Sequence, residues 1–202
     1  MGRKAMIIMD FSTSETKVNL MRAFAGESQA RNRYGISAKK ARDDGFYAIA
    51  KIFEITAGQE QAHATVFYNY LKEVAGTNFD IKASYPIDIF NTTAEYVRAA
   101  SKNESEEYKS IYQSFGNTAK QEGFIQIAQS FYSIAEIEKT HWQNFYAIEK
   151  LFKSDTLYKR ESETIWICTN CGHIHTGIQA PVICPVCHKT QGYFWDKKLA
   201  LL

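Results

Sequence analysis

Proline is almost absent from the first four-fifths of this chain. Only Pro86 lies before residue 181, and the other two prolines follow it. Proline removes a backbone donor and breaks helices, so such proline-poor stretches permit long uninterrupted helices. The four cysteines show the opposite distribution, since all of them fall between Cys168 and Cys187. The chain is therefore predicted to consist of two chemically different parts.

Composition excludes several classes of protein. With 202 residues, 45% hydrophobic and 23% charged, the chain has the composition of an ordinary folded protein rather than a disordered one. A net charge of +2 gives no electrostatic case for nucleic acid or an anionic membrane. The apolar run at 5–9 ends at Asp10, too short for a signal-peptide core or a membrane span. We therefore expect a cytoplasmic protein without a nucleic-acid or membrane partner.

Capping patterns and glycines divide the first part into helices. Capping boxes mark two helix starts and glycines mark the helix ends. These signals are Ser12 with Glu15, Thr92 with Glu95, Gly45, Gly76 and Gly123. The predicted helices span about 13–43, 46–75, 93–121 and 124–152. Two connections are short and one, at 77–91, is long, which predicts an all-α ferritin-like four-helix bundle with one crossover.

Two of these helices carry matching inward stripes at steps of three and four residues. Each stripe is apolar except for Glu-x-x-His at its middle. The stripes are Ile49, Phe53, Thr56, Glu60, His63, Phe67, Tyr70 and Ile127, Phe131, Ile134, Glu138, His141, Phe145, Ile148. The first helix adds Leu20, Phe24, Glu27 and Tyr34, and the third adds Val97, Ala100, Glu104, Glu107 and Ile111. The bundle is therefore predicted to be a duplicated helical hairpin.

The glutamates of these stripes require a cation. An ionised carboxylate in an apolar interior costs several kcal/mol unless it is paired or metal-bound. A single Glu-x-x-His is usually a solvated or hydrogen-bonded pair. Two copies in register, with glutamates at the corresponding levels of the other helices, instead favour a pair of iron or manganese ions held by carboxylate oxygens and imidazole nitrogens.

The second part is predicted to be a small metal-bound module of strands and loops at 164–202, after a polar linker at 154–163. Two Cys-x-x-Cys pairs form a tetrahedral site for zinc or one iron, and the spacing does not choose between them. Two disulfides are disfavoured in a reducing cytoplasm. The four predicted ligands are Cys168, Cys171, Cys184 and Cys187. Trp166, Tyr193, Phe194 and Trp195 are predicted to form the core, and His173, His175 and His188 to lie at the surface.

Several motifs together resemble the rubrerythrin family over nearly the whole chain. They are Phe24-Ala-Gly-Glu27-Ser-Gln-Ala-Arg-Asn-Arg-Tyr34, Glu60-Gln-Ala-His63, Glu104-Ser-Glu-Glu107, Glu138-Lys-Thr-His141 and the terminal Cys-x-x-Cys pair. The resemblance implies a di-iron bundle at 1–153 joined to a rubredoxin-like one-iron domain. It also implies a non-haem peroxidase that reduces hydrogen peroxide to water and protects against oxidative stress.

The resemblance assigns roles residue by residue. The implied di-iron ligands are Glu27, Glu60, Glu104, Glu107, Glu138 and His141. His63 is implied to bind one iron in the reduced state, and Glu107 to replace it on oxidation. Tyr34 and Tyr112 are implied to orient ligand carboxylates, and the four cysteines to hold one iron. His173 departs from the family pattern, because rubredoxins usually carry an aromatic residue there.

The resemblance also implies an electron-donor protein, either a rubredoxin or a reductase, and a head-to-tail homodimer or higher homo-oligomer. One alternative function is a ferroxidase or iron-handling protein, since ferritin-like bundles also oxidise ferrous iron. Another is a non-enzymatic metal-binding module whose zinc ribbon recruits a partner. Colour discriminates the last alternative, because iron in four sulfurs gives a red protein and zinc does not.

Overall fold

The computed structural model describes residues 9–199, which form long helices up to residue 153 and short strands beyond it. The helices are α1 (Glu15–Asp43), α2 (Tyr47–Tyr70), α3 (Thr93–Glu106), α4 (Tyr112–Gln121) and α5 (Ile125–Lys153). A π-helical turn, Glu107–Ile111, joins α3 to α4, so these two form one helical arm. The four arms and the long connection after α2 confirm the predicted ferritin-like bundle. Most of the apolar run at 5–9 and the outer ends of the two predicted domains lie outside the described residues.

The predicted helix ends are largely confirmed. Gly45, Gly76 and Gly123 all have positive φ values, of 83°, 79° and 91°, where glycine avoids the steric cost of a Cβ atom. At the start of α3, the Thr92 amide donates to Glu95 Oε2 at 3.0 Å, and the Glu95 amide donates to Thr92 Oγ1 at 3.4 Å. This is the predicted capping box.

The start of α1 differs from the prediction. The residues Phe11–Thr13 form a 3-10 turn, and α1 begins at Glu15. Ser14 caps this helix, because its Oγ accepts a hydrogen bond from the Lys17 amide at 3.1 Å. The predicted pairing of Ser12 with Glu15 is therefore wrong, since Ser12 belongs to the preceding turn.

The third predicted helix is not continuous. A π-helical turn contains one more residue than an α-helical turn, so it moves the inward-facing stripe forward by one position. Tyr112 is consequently buried, with 2% exposure, whereas Ile111 is 37% exposed. The prediction that Ile111 faces inward is wrong for this reason.

The inward stripes of α2 and α5 are confirmed. All seven predicted stripe residues of α5 are buried, from Ile127 to Ile148. In α2, the stripe is buried from Ile49 to Phe67, and Tyr70 at its end is half-buried. The periodicity of three and four residues therefore located the buried face of both helices.

Two acidic residues cap helices that lie far away in the sequence. The Glu122 carboxylate accepts hydrogen bonds from the amides of Glu15 at 3.0 Å and Thr16 at 2.8 Å. Asp44 Oδ2 accepts a bond from the Thr93 amide at 3.0 Å. Asp44 and Glu122 each precede the glycine at the turn of one hairpin, and each caps the first helix of the other. The duplicated hairpins are thus tied together reciprocally.

The described residues form two packing units, and each contains parts of both hairpins. The first comprises 9–32, 57–87 and 103–140, and the second comprises 33–56, 88–102 and 141–199. The aromatic core of the first unit includes Phe67 and Phe131, with ring centroids 4.9 Å apart. In the second, the rings of Phe53 and Phe145 lie 5.1 Å apart, and Tyr34 packs against both.

The strand domain is a three-stranded antiparallel sheet. Its strands are β1 (Lys159–Cys168), β2 (Ile174–Gln179) and β3 (Phe194–Asp196), in the order β2-β1-β3. Trp166, Phe194 and two of the cysteines form its buried core. Because β1 begins at Lys159, the second half of the predicted linker is strand.

Within the second packing unit, this domain packs closely against the turn between α1 and α2. Tyr193 stacks on Tyr47 with ring centroids 4.1 Å apart. A Cβ atom on Gly192 would lie 1.8 Å from the Gly45 carbonyl oxygen, so only glycine fits there. Within residues 9–199, none of the helices combines the length and apolar content needed to cross a lipid bilayer.

Candidate metal centres

Four helical arms bring glutamate and histidine side chains to one buried layer. A first group of donors comprises Glu27, Glu60, His63 and Glu138, with one ligand atom of each within 4.8 Å of the others. All four side chains are buried. Glu60 and His63 come from α2, where a separation of three residues places them on the same face. This group could hold one cation.

A second group overlaps the first. It comprises Glu60, Glu104, Glu138 and His141, again with ligand atoms within 4.8 Å of one another. His141 follows Glu138 by one turn of α5, as His63 follows Glu60 in α2. Glu60 and Glu138 belong to both groups. Two neighbouring ions that share carboxylates require this kind of donor set.

The electrostatics of the layer favour cations. Burial, and then the nearby charges of Glu60 and Glu138, raises the pKa of Glu27 well above its ordinary range. Its Oε2 atom is buried and has no hydrogen-bond partner, which costs free energy in the absence of a ligand. Bound cations would compensate the mutual repulsion of the carboxylates and provide a partner for the Glu27 Oε2 atom. Carboxylate oxygens with imidazole nitrogens are donors that iron accepts, so the residues present fit a di-iron centre.

His63 lies among the carboxylates. Its Nδ1 is 2.8 Å from Glu138 Oε1 and 3.3 Å from Glu60 Oε2. Burial disfavours the imidazolium, but these two carboxylates outweigh that effect and raise the pKa of His63 to about 9. In this structure His63 therefore belongs to the ligand layer.

Of the two tyrosines predicted to orient ligands, Tyr112 has a direct contact. Its hydroxyl donates to Glu27 Oε1 at 2.5 Å, and burial together with the charge of Glu27 raises the pKa of Tyr112 well above its ordinary value. Tyr34 is buried beside the rings of Phe53 and Phe145. Its orienting role stays a prediction.

Glu107 is the remaining predicted ligand. It is half-buried and lies outside both donor groups, although its charge contributes to raising the pKa of Glu27 and Tyr112. It is the first residue of the π-helical turn. Such turns occur mostly as single bulges within α-helices and often at functional sites. Sequence periodicity gave no sign of this turn, since a helical pattern continues through it.

The four cysteines form a separate site in the strand domain. The Sγ atoms of Cys168 and Cys187 are 3.7 Å apart, and those of Cys171 and Cys184 are 3.8 Å apart. A tetrahedral site with metal–sulfur bonds of about 2.3 Å has edges of about 3.8 Å. These distances therefore fit one metal ion, and they are too long for disulfides, which require about 2.05 Å.

Two matching turns present the sulfurs. The Gly172 amide donates to the Cys168 carbonyl at 2.8 Å, and the His188 amide donates to the Cys184 carbonyl at 3.0 Å. Gly172 has φ 76° and His188 has φ 58°. His188 thus occupies a left-handed conformation that glycine adopts in the other turn.

A backbone amide affects one of the four thiols. The main-chain amide of Lys189 contributes most to lowering the pKa of Cys187, to about 6. His188 is exposed, whereas His173 and His175 are half-buried, and the four-cysteine donor group includes none of them. The four thiols could be predicted from the sequence. The Lys189 amide could not, because every non-proline residue has a main-chain amide.

Comparison with known proteins gives one consistent family. The rubrerythrin family model matches residues 18–149, and the model of the rubrerythrin rubredoxin-like domain matches residues 166–195. A rubrerythrin of Porphyromonas gingivalis is 41% identical, covering 92% of this chain and 91% of that protein. A rubrerythrin of Nitratidesulfovibrio vulgaris is 39% identical, covering 90% of this chain and 93% of that protein.

Solved structures agree with this result. Fully reduced, all-ferrous nigerythrin has a TM-score of 0.61 and 25% identity, covering 96% of this chain and 94% of that chain. A Desulfovibrio desulfuricans bacterioferritin has a TM-score of 0.63 and 22% identity, covering 69% of this chain and 81% of that chain. The second likeness concerns the fold alone.

Proposed function

The chain belongs to the rubrerythrin family, and from this premise we propose that it is a non-haem di-iron peroxidase that reduces hydrogen peroxide to water. The observation that carries the proposal is the buried layer in which two donor groups share Glu60 and Glu138, in a chain that also holds a four-cysteine site. Two redox-capable sites of different chemistry suit a substrate centre and an electron-transfer centre.

We propose specific ligands for the di-iron centre. Glu27 and His63 would hold one ion, Glu104 and His141 would hold the other, and Glu60 and Glu138 could contribute to both. A bound pair of ferrous ions would supply the two electrons that reduction of the oxygen–oxygen bond requires. Tyr112 holds the Glu27 carboxylate through its hydroxyl, so this ligand keeps one orientation while the charge of the centre changes.

His63 and Glu107 are proposed to alternate as ligands. A neutral imidazole suits the less positive, reduced centre, and a carboxylate compensates the additional charge of the oxidised one. The half-buried position of Glu107 at the π-helical turn supports this role, because the side chain is close enough to perturb Glu27 but lies outside both donor groups.

The four-cysteine site is proposed to deliver electrons one at a time. Cys171 is exposed and Cys187 is half-buried, so the site is accessible to an electron-donor protein, which the family resemblance implies is a rubredoxin or a reductase. The resemblance also implies head-to-tail pairing of subunits, which stays a prediction.

Steady-state kinetics test the proposed function. Iron-loaded protein, supplied anaerobically with a reduced electron-transfer protein, should oxidise that donor on addition of hydrogen peroxide, at a rate proportional to enzyme concentration. Protein reconstituted with zinc is the control. Equal donor oxidation by the iron and zinc forms would overturn the proposal.

The same preparation tests the ferroxidase alternative. Iron storage predicts assembly into a large cage and uptake of many iron ions per chain. The peroxidase predicts a small oligomer with three iron ions per chain. Size-exclusion chromatography and metal analysis separate the two outcomes.

A further inference from the structure

A cavity of about 410 Å³ lies beside the proposed di-iron centre, in the first packing unit. Glu107 and Tyr112 are among its lining residues, and Tyr112 is buried. Because Tyr112 bonds directly to Glu27, the cavity reaches a side chain that contacts the ligand layer. A reactant in this cavity would therefore approach the proposed exchangeable ligand.

The cavity is much larger than hydrogen peroxide requires. A water molecule's share of liquid volume is about 30 Å³, and hydrogen peroxide, with two oxygen atoms, needs roughly twice that. Pockets for small organic molecules instead begin at about 300 Å³. The volume of this cavity, about 410 Å³, is therefore that of a pocket for a small organic molecule.

Most of the surface area of the cavity wall is apolar, although charged side chains such as Arg22 and Glu106 also line it. The lining includes two small residues of α1, Ala23 and Gly26, and two large apolar residues, Ile111 and Phe115. A Cβ atom on Gly26 would lie 3.6 Å from the Tyr85 ring, so even one added methyl group would occupy part of this space. Hydrogen peroxide gains nothing from such surfaces, whereas a hydrocarbon group does.

The long connection between α2 and α3 closes the outer side. The Tyr85 hydroxyl donates to the Arg22 carbonyl at 2.8 Å, and Arg22 Nε donates to the Lys82 carbonyl at 3.0 Å. These bonds hold the connection against α1 and maintain the cavity as a defined space. The cavity is thus a built feature of the crossover.

We propose that this cavity binds the organic part of small alkyl or aryl hydroperoxides, so that the protein reduces ROOH as well as hydrogen peroxide. The inference rests on the proposed function. The oxygen–oxygen bond of ROOH breaks, two electrons from the reduced di-iron centre and two protons are taken up, and ROH and water are released. The electron-donor protein then restores the two electrons through the four-cysteine site.

Two variants test the substrate class. Ser114 of α4 and Ala83 of the long connection are exposed and line the cavity, so Ser114→Phe and Ala83→Phe are each expected to fill it without replacing a core residue. We expect either change to lower the ratio of kcat/KM for cumene hydroperoxide to kcat/KM for hydrogen peroxide by about tenfold. Ser133→Phe, at an exposed serine of α5 outside this cavity, is the matched control.

A binding measurement provides a readout that does not depend on turnover. The alcohol that cumene hydroperoxide reduction yields, 2-phenyl-2-propanol, should bind the iron-loaded wild type and Ser133→Phe saturably in isothermal titration calorimetry. It should bind Ser114→Phe and Ala83→Phe more weakly. Saturable binding with the expected ratio change supports the inference.

The outcomes separate the two proposals. Turnover of hydrogen peroxide without turnover of cumene hydroperoxide, or a substrate ratio that is the same in all variants, would overturn the organic-substrate inference and leave the peroxidase standing. Absence of binding by the alcohol would also overturn the inference. Failure to reduce either hydroperoxide would overturn the proposed function itself.

Discussion

Glu107 differs from the other proposed di-iron ligands in both backbone and exposure. It begins a π-helical turn and is half-buried, while Glu27, Glu60, Glu104 and Glu138 are almost completely buried on regular helices. A residue that exchanges with another ligand must be able to move, and partial exposure provides the space. The partial exposure of Glu107 is therefore consistent with its proposed exchange with His63.

Replacement of Glu107 tests this role. Glu107→Ala should retain helicity and bind two iron ions through the remaining ligands, but lower peroxide turnover by about 10- to 100-fold. Steady-state kinetics and circular dichroism measure the two effects. Glu136→Ala removes an exposed carboxylate of α5 and is the control. Equal turnover in both variants would contradict the ligand role.

His188 occupies a strained backbone conformation. Its φ of 58° corresponds to the φ of 76° at Gly172 in the matching turn. A non-glycine residue there costs about 1–2 kcal/mol, partly offset by the greater flexibility of unfolded glycine. His188→Gly should therefore stabilise the strand domain by about 0.5–1 kcal/mol.

Guanidinium unfolding, followed through absorbance of the metal–sulfur site, measures this change. His175→Gly is the control, because His175 lies in β2 rather than in a left-handed turn. A lower free energy of unfolding for His188→Gly than for wild type would contradict the prediction. The interactions of the His188 side chain would then stabilise the domain by more than its backbone conformation destabilises it.

At the scale of helices, the reciprocal caps explain how the two hairpins fix each other. Asp44 caps α3 through Thr93, and Glu122 caps α1 through Thr16. Each carboxylate bonds amides at a helix start, where the backbone donors have no partners in the helix. The caps therefore favour the pairing of hairpins that assembles the ligand layer.

Removal of one cap should destabilise the bundle. Asp44→Ala is expected to lower the free energy of unfolding by about 0.5–2 kcal/mol at pH 7, measured by urea denaturation. Asp43→Ala, which loses only an exposed ion pair with Lys39, is the control. Similar losses in both variants would contradict a capping role.

The effect of Asp44 should depend on pH. Although partial burial opposes ionisation, hydrogen bonds from Lys40 and Thr93 hold the pKa of Asp44 below its ordinary value. A lowered folded-state pKa gives stability that is present above the unfolded pKa, about 3.9, and is lost as pH falls through the folded value. The difference between wild type and Asp44→Ala should therefore shrink below about pH 4. A difference that grows with acidity would contradict this assignment.

The sequence predicted what depends on local pattern. Periodicity located the buried faces of α2 and α5, including both Glu-x-x-His pairs, and glycines located the hairpin turns. It missed the π-helical turn and the long-range caps. The π-helical turn moves the buried face of the helix by one residue without changing the residue pattern. The long-range caps join Asp44 and Glu122 to helix starts far away in the sequence. Such features depend on tertiary contacts that no single segment encodes.

For the whole molecule, the uneven distribution of proline and cysteine corresponds to two kinds of metal site. Long proline-free helices carry oxygen and nitrogen donors into an apolar interior, while the small strand domain is built around four thiolates. The bundle has large apolar cores of its own. The strand domain buries only a few side chains, so its stability should depend on its metal.

Metal removal should therefore affect the two domains differently. A chelator under reducing conditions should unfold the strand domain and leave most of the helical circular dichroism intact. Amide hydrogen exchange should show loss of protection in β1 and β2, with protection retained in α2 and α5. Simultaneous loss of protection in both regions would contradict independent stabilisation by the cores.

We propose that the two metal sites work in series, one for substrate and one for electrons. The most direct test compares wild type with Cys171→Ser, both loaded with iron in the bundle and chemically reduced, in single-turnover and steady-state peroxide reduction. We predict that the variant consumes the first equivalent of peroxide at the wild-type rate, but loses steady-state turnover by about 100-fold or more when electrons come from the donor protein. Wild-type steady-state turnover in Cys171→Ser would contradict the claim, because electrons would then reach the di-iron centre without the four-cysteine site.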